Sequence, residues 1–410
     1  MSVTAVVEVE GHIIDSLILP KILDVIVDSG ADYRLVDFEV GRSHVDASRA
    51  RIELRAASQD ELDALLVALH PHGAHPVEEP EATLEPAPAD GVLPAGFYST
   101  TNLPTAVKVD GRWLAADRAE MDCALVVDGD VARVVPMANV GAGDRVVVGV
   151  AGVKVEPYER PRERGPASAV TDDFAFMTSE ISSEKPKGLL VAQVARRIRR
   201  LRDEGGKVLV VPGPAVVHTG AAPDLARLVR EGWVDVLFAG NGFATHDIES
   251  ALLGTSLGVS VREGISTEGG HANHLRTINE VRRWGSIAKG VESGDLQAGV
   301  MYECLRAGVP FVLAGSIRDD GPLPDVITDV MHAQQAMREH LDGLRVSLMF
   351  ASTLHAIATG NLLPASVETY CVDINQAVVT KLADRGSHQT LGIVTDVGLF
   401  VRGLTEQLLT

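Results

Sequence analysis

The sequence predicts an α/β protein whose C-terminal part carries a large, mostly parallel β-sheet. Apolar runs of strand length recur there, each run ends in glycine or a small polar residue, and amphipathic helical segments lie between the runs. Strands that alternate with helices at this spacing indicate right-handed crossovers and a sheet covered on both faces. The six runs are Val208 to Val211, Val234 to Asn241, Pro310 to Ser316, Val346 to Thr353, Thr369 to Asn375 and Gly392 to Gly398.

Length and charge limit the classes of protein to which the chain can belong. Its 410 residues exceed the size at which one core usually stops growing, so two or three domains are expected. The formal net charge of -19 argues against nucleic-acid or membrane partners, since both need clustered Lys and Arg to meet phosphate. A local basic pocket would still be enough for a small anionic substrate.

The cysteines and the N-terminus predict a cytoplasmic protein. Cys123, Cys304 and Cys371 show no CxxC spacing and stand in apolar segments. We interpret them as buried thiols in a reducing compartment, not as metal ligands or disulfides. The first residues lack the basic and apolar regions of a secretion signal, and no apolar run approaches the ~20 residues that span a bilayer.

Residues 1–80 predict a small α+β module of the ferredoxin-like kind. Strand-like and helix-like segments follow each other in the order βαββα, and Ser58-Gln59-Asp60-Glu61 has the form of a capping box at the start of the second helix. Modules of this kind bind amino acids or mediate assembly. The five segments are TAVVEVEG, DSLILPKILDVIVDSG, YRLVDFEVG, SRARIELRA and SQDELDALLVALHPHG.

Two Pro-rich segments predict linkers, one after this module and one before the large α/β domain. They cover residues 77–94 and 159–168, where large apolar groups are few. Residues 95–158 predict a small β-rich domain, because Asp-Gly and Gly-Ala-Gly turns divide short apolar runs. The large α/β domain is expected over residues 170–410.

The segment KVLVVPGPAVVHTG, from Lys207 to Gly220, organises that large domain. A buried strand breaks at Pro212-Gly213-Pro214 and delivers a glycine-rich loop. The carboxyl ends of parallel strands form one edge of an open sheet, where ligands bind. No GxGxxG and no GxxxxGK[ST] follows any of the strands, so a dinucleotide would bind by another arrangement.

Polar residues at the ends of the predicted strands can be interpreted either as ligand contacts or as turn and cap residues. Asp373 is suited to accept both hydroxyls of a ribose and to repel a 2′-phosphate, which favours NAD over NADP, and it is equally suited to start the following helix. Asn241, Ser352, Thr353 and Asp396 occupy equivalent loops. Each alone is typical of a turn or cap, whereas their repetition along one edge favours ligand contacts.

A second polar cluster, TEGGHANHLRTIN, contains Glu268, His271 and His274 within two helical turns. No HExxH pattern is present, so we predict no metal site. Imidazole titrates near neutral pH, which favours acid-base catalysis, while the alternative is an ordinary helix start with partly exposed histidines. Three further residues stay open as alternatives for the base, namely His218, His246 and Lys289.

The longest motifs of the large domain resemble one family. VPGPAVVHTGA, LFAGNGFATHDIE, TEGGHANHLRTIN, VLAGSIRDDGPLPDV and CVDINQAVVTKLADRGS are similar to the archaeal-type ornithine cyclodeaminases, historically labelled with the LOR/SDH bifunctional conserved region. Related segments form the C-terminal part of cyanobacterial arginine dihydrolase fusions. The resemblance covers nearly the whole chain and implies a deoxyhypusine synthase-like NAD-binding fold. It also implies conversion of L-ornithine to L-proline and ammonia by redox-neutral use of bound NAD.

The resemblance also implies roles for particular residues. Glu268, His271 and His274 are the expected acid-base groups, and Arg276 or Arg318 is expected to hold the substrate carboxylate. A homodimer or homotetramer is expected as well, since the nucleotide edge of this fold commonly lies near a subunit contact. The expected NAD contacts are Gly240, Asn241, Asp319, Ser352, Thr353, Leu354, Asp373 and Asp396.

Two alternatives from other functional classes stay open at this point. The family label suggests an NAD-dependent dehydrogenase of a lysine-derived secondary amine, of the saccharopine type, which would show net NADH formation. The N-terminal α+β module would also suit a non-catalytic NAD or amino-acid sensor, which would bind NAD and turn over no ornithine.

Overall fold

The computed structural model describes residues 3–14, 16–41, 46–77, 80–156, 181–182, 187–257, 259–260, 272–319, 321–384 and 390–410. The chain divides into two compact units. The first comprises Met1–Pro166 with Asn361–Ala365, and the second comprises Ala167–Gly360 with Ser366–Thr410.

The first unit begins with an antiparallel sheet and two helices. Its elements are β1 (Val3–Gly11), α1 (Ile18–Asp28), β2 (Asp32–Glu39), β3 (Ser48–Ala56), α2 (Gln59–Leu69) and β4 (His75–Pro76). The strand order β2-β3-β1-β4 is that of a ferredoxin-like α+β sandwich. Alternate residues of β1 and β3, such as Val7 and Ile52, are buried against α1 and α2. The Ser58 hydroxyl accepts a hydrogen bond from the Glu61 N–H at 3.3 Å, so it caps α2.

Two further antiparallel sheets complete the first unit. Their strands are β5 (Thr83–Pro86), β6 (Thr105–Val109), β7 (Arg112–Ala115), β8 (Ala124–Asp128), β9 (Val131–Val135), β10 (Arg145–Val148) and β11 (Val153–Val155). The orders are β5-β10-β8-β9 and β11-β6-β7. Strand β5 lies inside the first predicted linker, so that interpretation was wrong there. An edge strand needs only one packed apolar residue, Leu84, and tolerates Pro86 at its end.

A buried His–Tyr pair joins the two parts of the first unit. The His70 Nε2 atom lies 3.2 Å from the Tyr98 hydroxyl, and the rings meet edge to face. Burial is the main cause that lowers the pKa of His70 to about 4, and the nearby His75 adds to it. His70 is therefore neutral in the folded protein at pH 7.

The free energy of unfolding should fall on mild acidification because of His70. An unfolded His70 binds a proton below its ordinary pKa of 6.5, whereas the folded residue binds one only near pH 4. Above pH 6.5 His70 is neutral in both states and does not lower the free energy of unfolding. By pH 5 its protonation in the unfolded state lowers the free energy of unfolding by about 2 kcal/mol. We expect His70→Gln to flatten the dependence of Tm on pH between 7 and 5. Parallel Tm–pH curves for the parent and the variant would contradict this.

The second unit is built on a single parallel sheet. Its strands are β12 (Ile181–Ser182), β13 (Lys207–Pro212), β14 (Val236–Gly240), β17 (Phe311–Ala314), β18 (Val326–Ile327), β19 (Leu344–Phe350), β20 (Glu368–Asp373) and β21 (Thr390–Val394). A small hairpin of β15 (Thr255–Ser256) and β16 (Val259–Ser260) stands apart from it. The order is β12-β21-β20-β19-β13-β14-β17-β18. All six predicted strands are present, and the α/β prediction is confirmed.

Helices connect the strands and pack on the sheet. They are α3 (Lys187–Asp203), α4 (Ala215–His218), α5 (Ala222–Arg230), α6 (Asn241–Leu253), α7 (Asn273–Trp284), α8 (Ile287–Ser293), α9 (Val300–Ala307), α10 (Val330–Arg338), α11 (Leu354–Leu362), α12 (Gln376–Asp384) and α13 (Val397–Leu409). The prediction of a loop at Asn241 was wrong, because this residue begins α6. Most of α6 is buried, so its sequence lacks the apolar stripe of a surface helix. In the part of the chain that the structure describes, no helix is both long and apolar enough to cross a membrane.

The order of the strands fixes where a ligand can bind. From β13 the chain proceeds outward through β14 and β17, and it then returns to the other side of β13 to form β19, β20 and β21. The direction of connection therefore reverses between β13 and β19. In open α/β sheets the crevice beyond the carboxyl ends of the strands at such a reversal is the usual ligand site.

Candidate active site

A cavity of about 560 Å³ opens at this reversal. Residues from the carboxyl ends of β13, β14, β17 and β19 line it, together with residues of α6 and α7. The volume lies within the range of roughly 300–1,000 Å³ that is typical of small-molecule and cofactor sites. Among the residues that the structure describes, this cavity is therefore the candidate active site.

At two glycines beside the cavity, neighbouring atoms stand where a Cβ atom would lie. A Cβ atom on Gly213 would stand 1.9 Å from the carbonyl oxygen of Ala351, and one on Gly240 would stand 2.4 Å from Nε2 of His355. Ala351 itself has a φ of 48°, in the left-handed region that non-glycine residues seldom adopt. Close approach and backbone strain thus coincide at the β13–β19 crevice, as they often do at functional sites.

Six of the predicted NAD contacts line the cavity. Asn241 is buried, and its side-chain oxygen accepts a hydrogen bond from the Leu323 N–H at 3.0 Å. Asp319 closes the turn after β17, because one of its oxygens accepts from the Ser316 N–H at 2.8 Å. The six residues are Gly240, Asn241, Asp319, Ser352, Thr353 and Leu354.

The other two predicted NAD contacts are not among the residues that line the cavity. Asp373 ends β20 and is buried, and its Oδ1 accepts a hydrogen bond from the Asn375 N–H at 2.7 Å. Asp396 caps α13, since its Oδ1 accepts from the Leu399 N–H at 2.9 Å. Both carboxylates stand at the same edge of the sheet as the cavity, at the ends of strands β20 and β21.

Three histidines form a cluster in the cavity wall. His218 comes from the end of α4, His246 from α6 and His274 from α7. The ring centroids of His218 and His246 are 4.9 Å apart, and those of His246 and His274 are 6.4 Å apart. His218 is open to the cavity, yet partial desolvation, followed by the neighbouring His246, lowers its pKa to about 4. Three elements that are distant in sequence thus bring imidazole groups together.

Two side chains that orient this cluster were missed in the sequence. The Glu249 carboxylate lies 2.8 Å from Nδ1 of His246, and the Ser256 hydroxyl lies 2.7 Å from Nδ1 of His218. The signal for the first pair was the i, i+3 spacing of His246 and Glu249, which has meaning only once α6 is known to be a helix. Asp247 between them points elsewhere, since its oxygens accept from the N–H groups of Val300 and Met301 at the start of α9.

The other sequence candidates divide between the cavity, the surface and the residues that the structure does not describe. Arg318 lines the cavity, whereas Arg276 is exposed on α7 and bonds to Asn273. Lys289 is exposed on α8. Glu268 and His271 lie outside the described residues, so their predicted roles stay predictions. Within the described residues no group of three or more His, Cys, Asp or Glu side chains has the geometry to hold a metal ion.

Comparison with known proteins gives matches along the whole chain. Residues 192–404 match the Rossmann-fold part of the arginine dihydrolase ArgZ-like C-terminal region, residues 104–191 match the first part of that region, and residues 4–103 match the LOR/SDH bifunctional enzyme conserved region. An ornithine cyclodeaminase of Methanopyrus kandleri is 53% identical over 405 residues, which cover 98% of this chain and 97% of that protein. The chain belongs to the archaeal-type ornithine cyclodeaminase family. The predicted resemblance is therefore confirmed.

Further members of the ornithine cyclodeaminase family extend the match. The ornithine cyclodeaminase of Methanocaldococcus jannaschii is 52% identical, with 98% of this chain and 95% of that protein covered. The bifunctional arginine dihydrolase/ornithine cyclodeaminase AgrE of a Nostoc species is 45% identical over 98% of this chain but only 58% of its own length. This chain thus corresponds to just over half of the bifunctional protein.

Solved structures of the family share the fold. Apo ArgZ from cyanobacteria superposes with a TM-score of 0.84 at 39% identity, covering 100% of this chain and 58% of ArgZ. The ternary complex of AgrE with ornithine and NAD+ superposes with a TM-score of 0.53 at 43% identity, covering 99% of this chain and 57% of AgrE.

Proposed function

We infer that this protein is an NAD-dependent ornithine cyclodeaminase, which converts L-ornithine to L-proline and ammonia. The observation that carries the inference is 53% identity, over nearly the full length of both chains, to a protein of that name. The AgrE complex with ornithine and NAD+ supports the same substrate and cofactor. The cavity at the strand reversal supports it independently, because that is the place where such sheets hold dinucleotides.

The residues of the cavity fit NAD without a glycine-rich fingerprint. Gly213 and Gly240 leave room for close backbone approach, and the loop with Ser352 and Thr353 adds short polar groups beside them. We propose that these residues hold the cofactor, with Asp319 and Asn241 fixing the neighbouring turns. When bound, NAD accepts a hydride from the α-carbon of ornithine and returns it to the cyclic imine that remains after ammonia leaves.

The chain itself must supply proton transfer and orientation for this reaction. Ornithine enters with two ammonium groups, and both must lose a proton, the α-ammonium before hydride loss and the δ-ammonium before ring closure. Imidazole is suited to both transfers near neutral pH. We propose that the histidine cluster of the cavity performs them, with Glu268 and His271 as further candidates. Arg318, exposed in the cavity wall, is positioned to hold the substrate carboxylate.

Absorbance at 340 nm separates this function from the alternatives. A cyclodeaminase consumes ornithine with no net NADH, because the hydride returns to the substrate within the same turnover. A dehydrogenase of a lysine-derived secondary amine would accumulate NADH in step with the substrate consumed. A sensor would bind NAD and leave ornithine unchanged, so the absorbance trace and the remaining ornithine together identify the class.

Asp373 gives a prediction about cofactor choice. A carboxylate next to the ribose repels a 2′-phosphate, so we expect the protein to bind NAD more tightly than NADP. Asp373→Asn should weaken NAD binding by about 1–3 kcal/mol, the usual scale for a hydrogen bond to a charged group. Calorimetric titration with both cofactors measures this. Equal affinity of the parent for NAD and NADP would remove Asp373 from this role and leave it with the turn at Asn375.

Assembly and location complete the proposal. We propose a symmetric homodimer or homotetramer, because nucleotide edges of such sheets commonly lie near subunit contacts. Sedimentation at micromolar protein concentration should show this, and a pure monomer would contradict it.

We also propose a cytoplasmic location, supported by three buried free cysteines, Cys123, Cys304 and Cys371.

A further inference from the structure

We propose that Glu249 is a positioning residue that orients His246 to take the proton from the α-ammonium group of the substrate. The proposal rests on the proposed function and assigns the central acid-base step to a pair of residues on α6. His246 lines the cavity, and Glu249 lies behind it in the protein interior, with no part of its surface exposed.

Helix geometry places the two side chains together. His246 and Glu249 are three residues apart on α6, so they lie on the same face one turn apart. Glu249 Oε2 lies 2.8 Å from Nδ1 of His246. This contact leaves Nε2 of the same ring for the cavity. A buried carboxylate on one ring nitrogen with the other nitrogen toward a ligand is the arrangement that orients catalytic histidines.

A chain of hydrogen bonds ends at the other oxygen of Glu249. Arg276 can only donate, so the Asn273 oxygen, 2.9 Å away, accepts from it and the Asn273 amide nitrogen must donate. That nitrogen lies 2.9 Å from the Thr255 hydroxyl, which in turn donates to Oε1 of Glu249 at 2.8 Å. Oε1 of Glu249 therefore accepts a hydrogen bond, and an ionised Glu249 accepts a second one at Oε2 from Nδ1–H of His246. We assign this form to the resting site, so that Nε2 of His246 is unprotonated.

The burial of Glu249 argues for a function. A fully buried carboxylate is costly unless hydrogen bonds and positive charge compensate it, and here the Thr255 hydroxyl and the His246 ring each meet one of its oxygens. An imidazolium at His246 would add positive charge 2.8 Å from the carboxylate while the ring holds the substrate proton. The Glu249 carboxylate is therefore placed to stabilise the protonated form of His246 during turnover.

The groups around His246 are consistent with a single base at the centre of the cluster. His218 faces it from α4 and His274 from α7, and Glu249 faces it from its own helix. Because its pKa is about 4, His218 stays neutral near pH 7 and does not compete for the proton. We assign the δ-ammonium group to His274, which lines the same cavity.

The proton balance closes within one turnover. Nε2 of His246 takes a proton from the α-ammonium, which frees the lone pair that drives the hydride from the α-carbon. The imidazolium returns that proton to the nitrogen that departs as ammonia after the δ-amine has attacked the same carbon. The ring nitrogen loses the second proton that the attack leaves on it before ammonia departs, and the hydride then returns to the same carbon. His246 ends neutral, and the two protons lost by the δ-nitrogen end on the ammonium and proline products. The overall conversion of ornithine cation to proline and ammonium is balanced in atoms and charge.

The test compares four variants of the full chain, all with NAD. We expect His246→Gln to lower kcat by roughly 10²–10⁴-fold, and Glu249→Gln by roughly 10²-fold, with the Kd of NAD within about twofold of the parent. Glu249→Asp should recover at least about tenfold of the loss, since it restores the charge. Glu280→Gln, an exposed carboxylate on α7, serves as the matched control and should leave kcat unchanged. Thermal unfolding confirms that each variant is folded.

Two readouts distinguish positioning from mere support of the fold. Recovery of kcat in Glu249→Asp but not in Glu249→Gln is the first, because both changes alter the packing and only the aspartate restores the charge. Nitrogen-15 NMR of histidine-labelled protein should show the Nδ1–H form of His246 in the parent, before any ligand is added, and loss of this preference in Glu249→Gln.

The outcomes separate this assignment from the proposed function. The same kcat in Glu249→Asp as in Glu249→Gln, an Nε2–H form at His246 in the parent, or near-parental turnover in His246→Gln would each overturn the assignment. If the parent itself makes no proline from ornithine, the proposed function fails and the proton-transfer role fails with it. Parental activity combined with unaffected His246 and Glu249 variants overturns the assignment alone.

Discussion

Gly213→Ala should weaken NAD binding by at least about tenfold, or about 1.4 kcal/mol, and lower the stability of the second unit. The added Cβ would stand 1.9 Å from the Ala351 carbonyl oxygen, a backbone atom that no rotamer change can move. The Gly213 N–H also donates to the Phe350 carbonyl at 2.7 Å, so the two strand ends are tied together there. Relief of the clash must open the β13–β19 crevice, which is the proposed NAD site.

A second glycine serves as the control for this change. A Cβ atom added at Gly188 in α3 would meet no heavy atom within 4 Å, so Gly188→Ala should leave NAD binding unchanged. Overpacking at Gly213 is expected to cost about 1–3 kcal/mol of folding free energy, measured by urea unfolding. Unchanged NAD affinity in Gly213→Ala would mean that the cofactor does not depend on this crevice.

His274→Ala should lower turnover by roughly 10²–10⁴-fold and leave NAD binding intact. His274 lines the cavity from α7 as a member of the histidine cluster, and it is not one of the residues proposed to hold NAD. Its loss should therefore affect proton transfer from ornithine and not the cofactor. Single-turnover kinetics with a calorimetric NAD titration measure the two effects separately.

The same test extends to Glu268 and His271, whose roles stay predictions. His332→Ala on α10 is the matched control, because His332 is exposed and does not line the cavity. Near-parental proline formation by His274→Ala, Glu268→Ala and His271→Ala would show that the TEGGHANH segment only begins a helix. The base would then be sought at His218, His246 or Lys289.

The sequence was sufficient for six of the eight strands of the large sheet and for six of the eleven helices that the structure describes in the second unit. The runs ending at Pro212, Gly240 and Phe350 are apolar over most of their length, as strands buried on both faces are, so their positions follow from composition. Helix α6 was not predicted, because it is buried on most sides and shows no polar stripe.

The candidate site was only partly predictable for a related reason. Polar residues after parallel strands fall at one edge by topology alone, which brought Asn241, Ser352 and Asp319 to the cavity. Pairs such as His246 and Glu249 depend on a helix that the pattern did not reveal, and His218 reaches them only through the tertiary fold. Long-range hydrogen bonds of this kind leave no periodic signal in a sequence.

The central claim is that the protein cyclises ornithine and that the hydride removed from the α-carbon returns to the cyclic imine in the same turnover. The direct measurement is to incubate the purified protein with excess L-ornithine and substoichiometric NAD, and to quantify proline, ammonia and NADH. The account predicts proline and ammonia in equal amounts, many turnovers per NAD, and no accumulation of NADH. Product formation that stops after one equivalent of NAD with NADH accumulating, or an absence of proline, would contradict it.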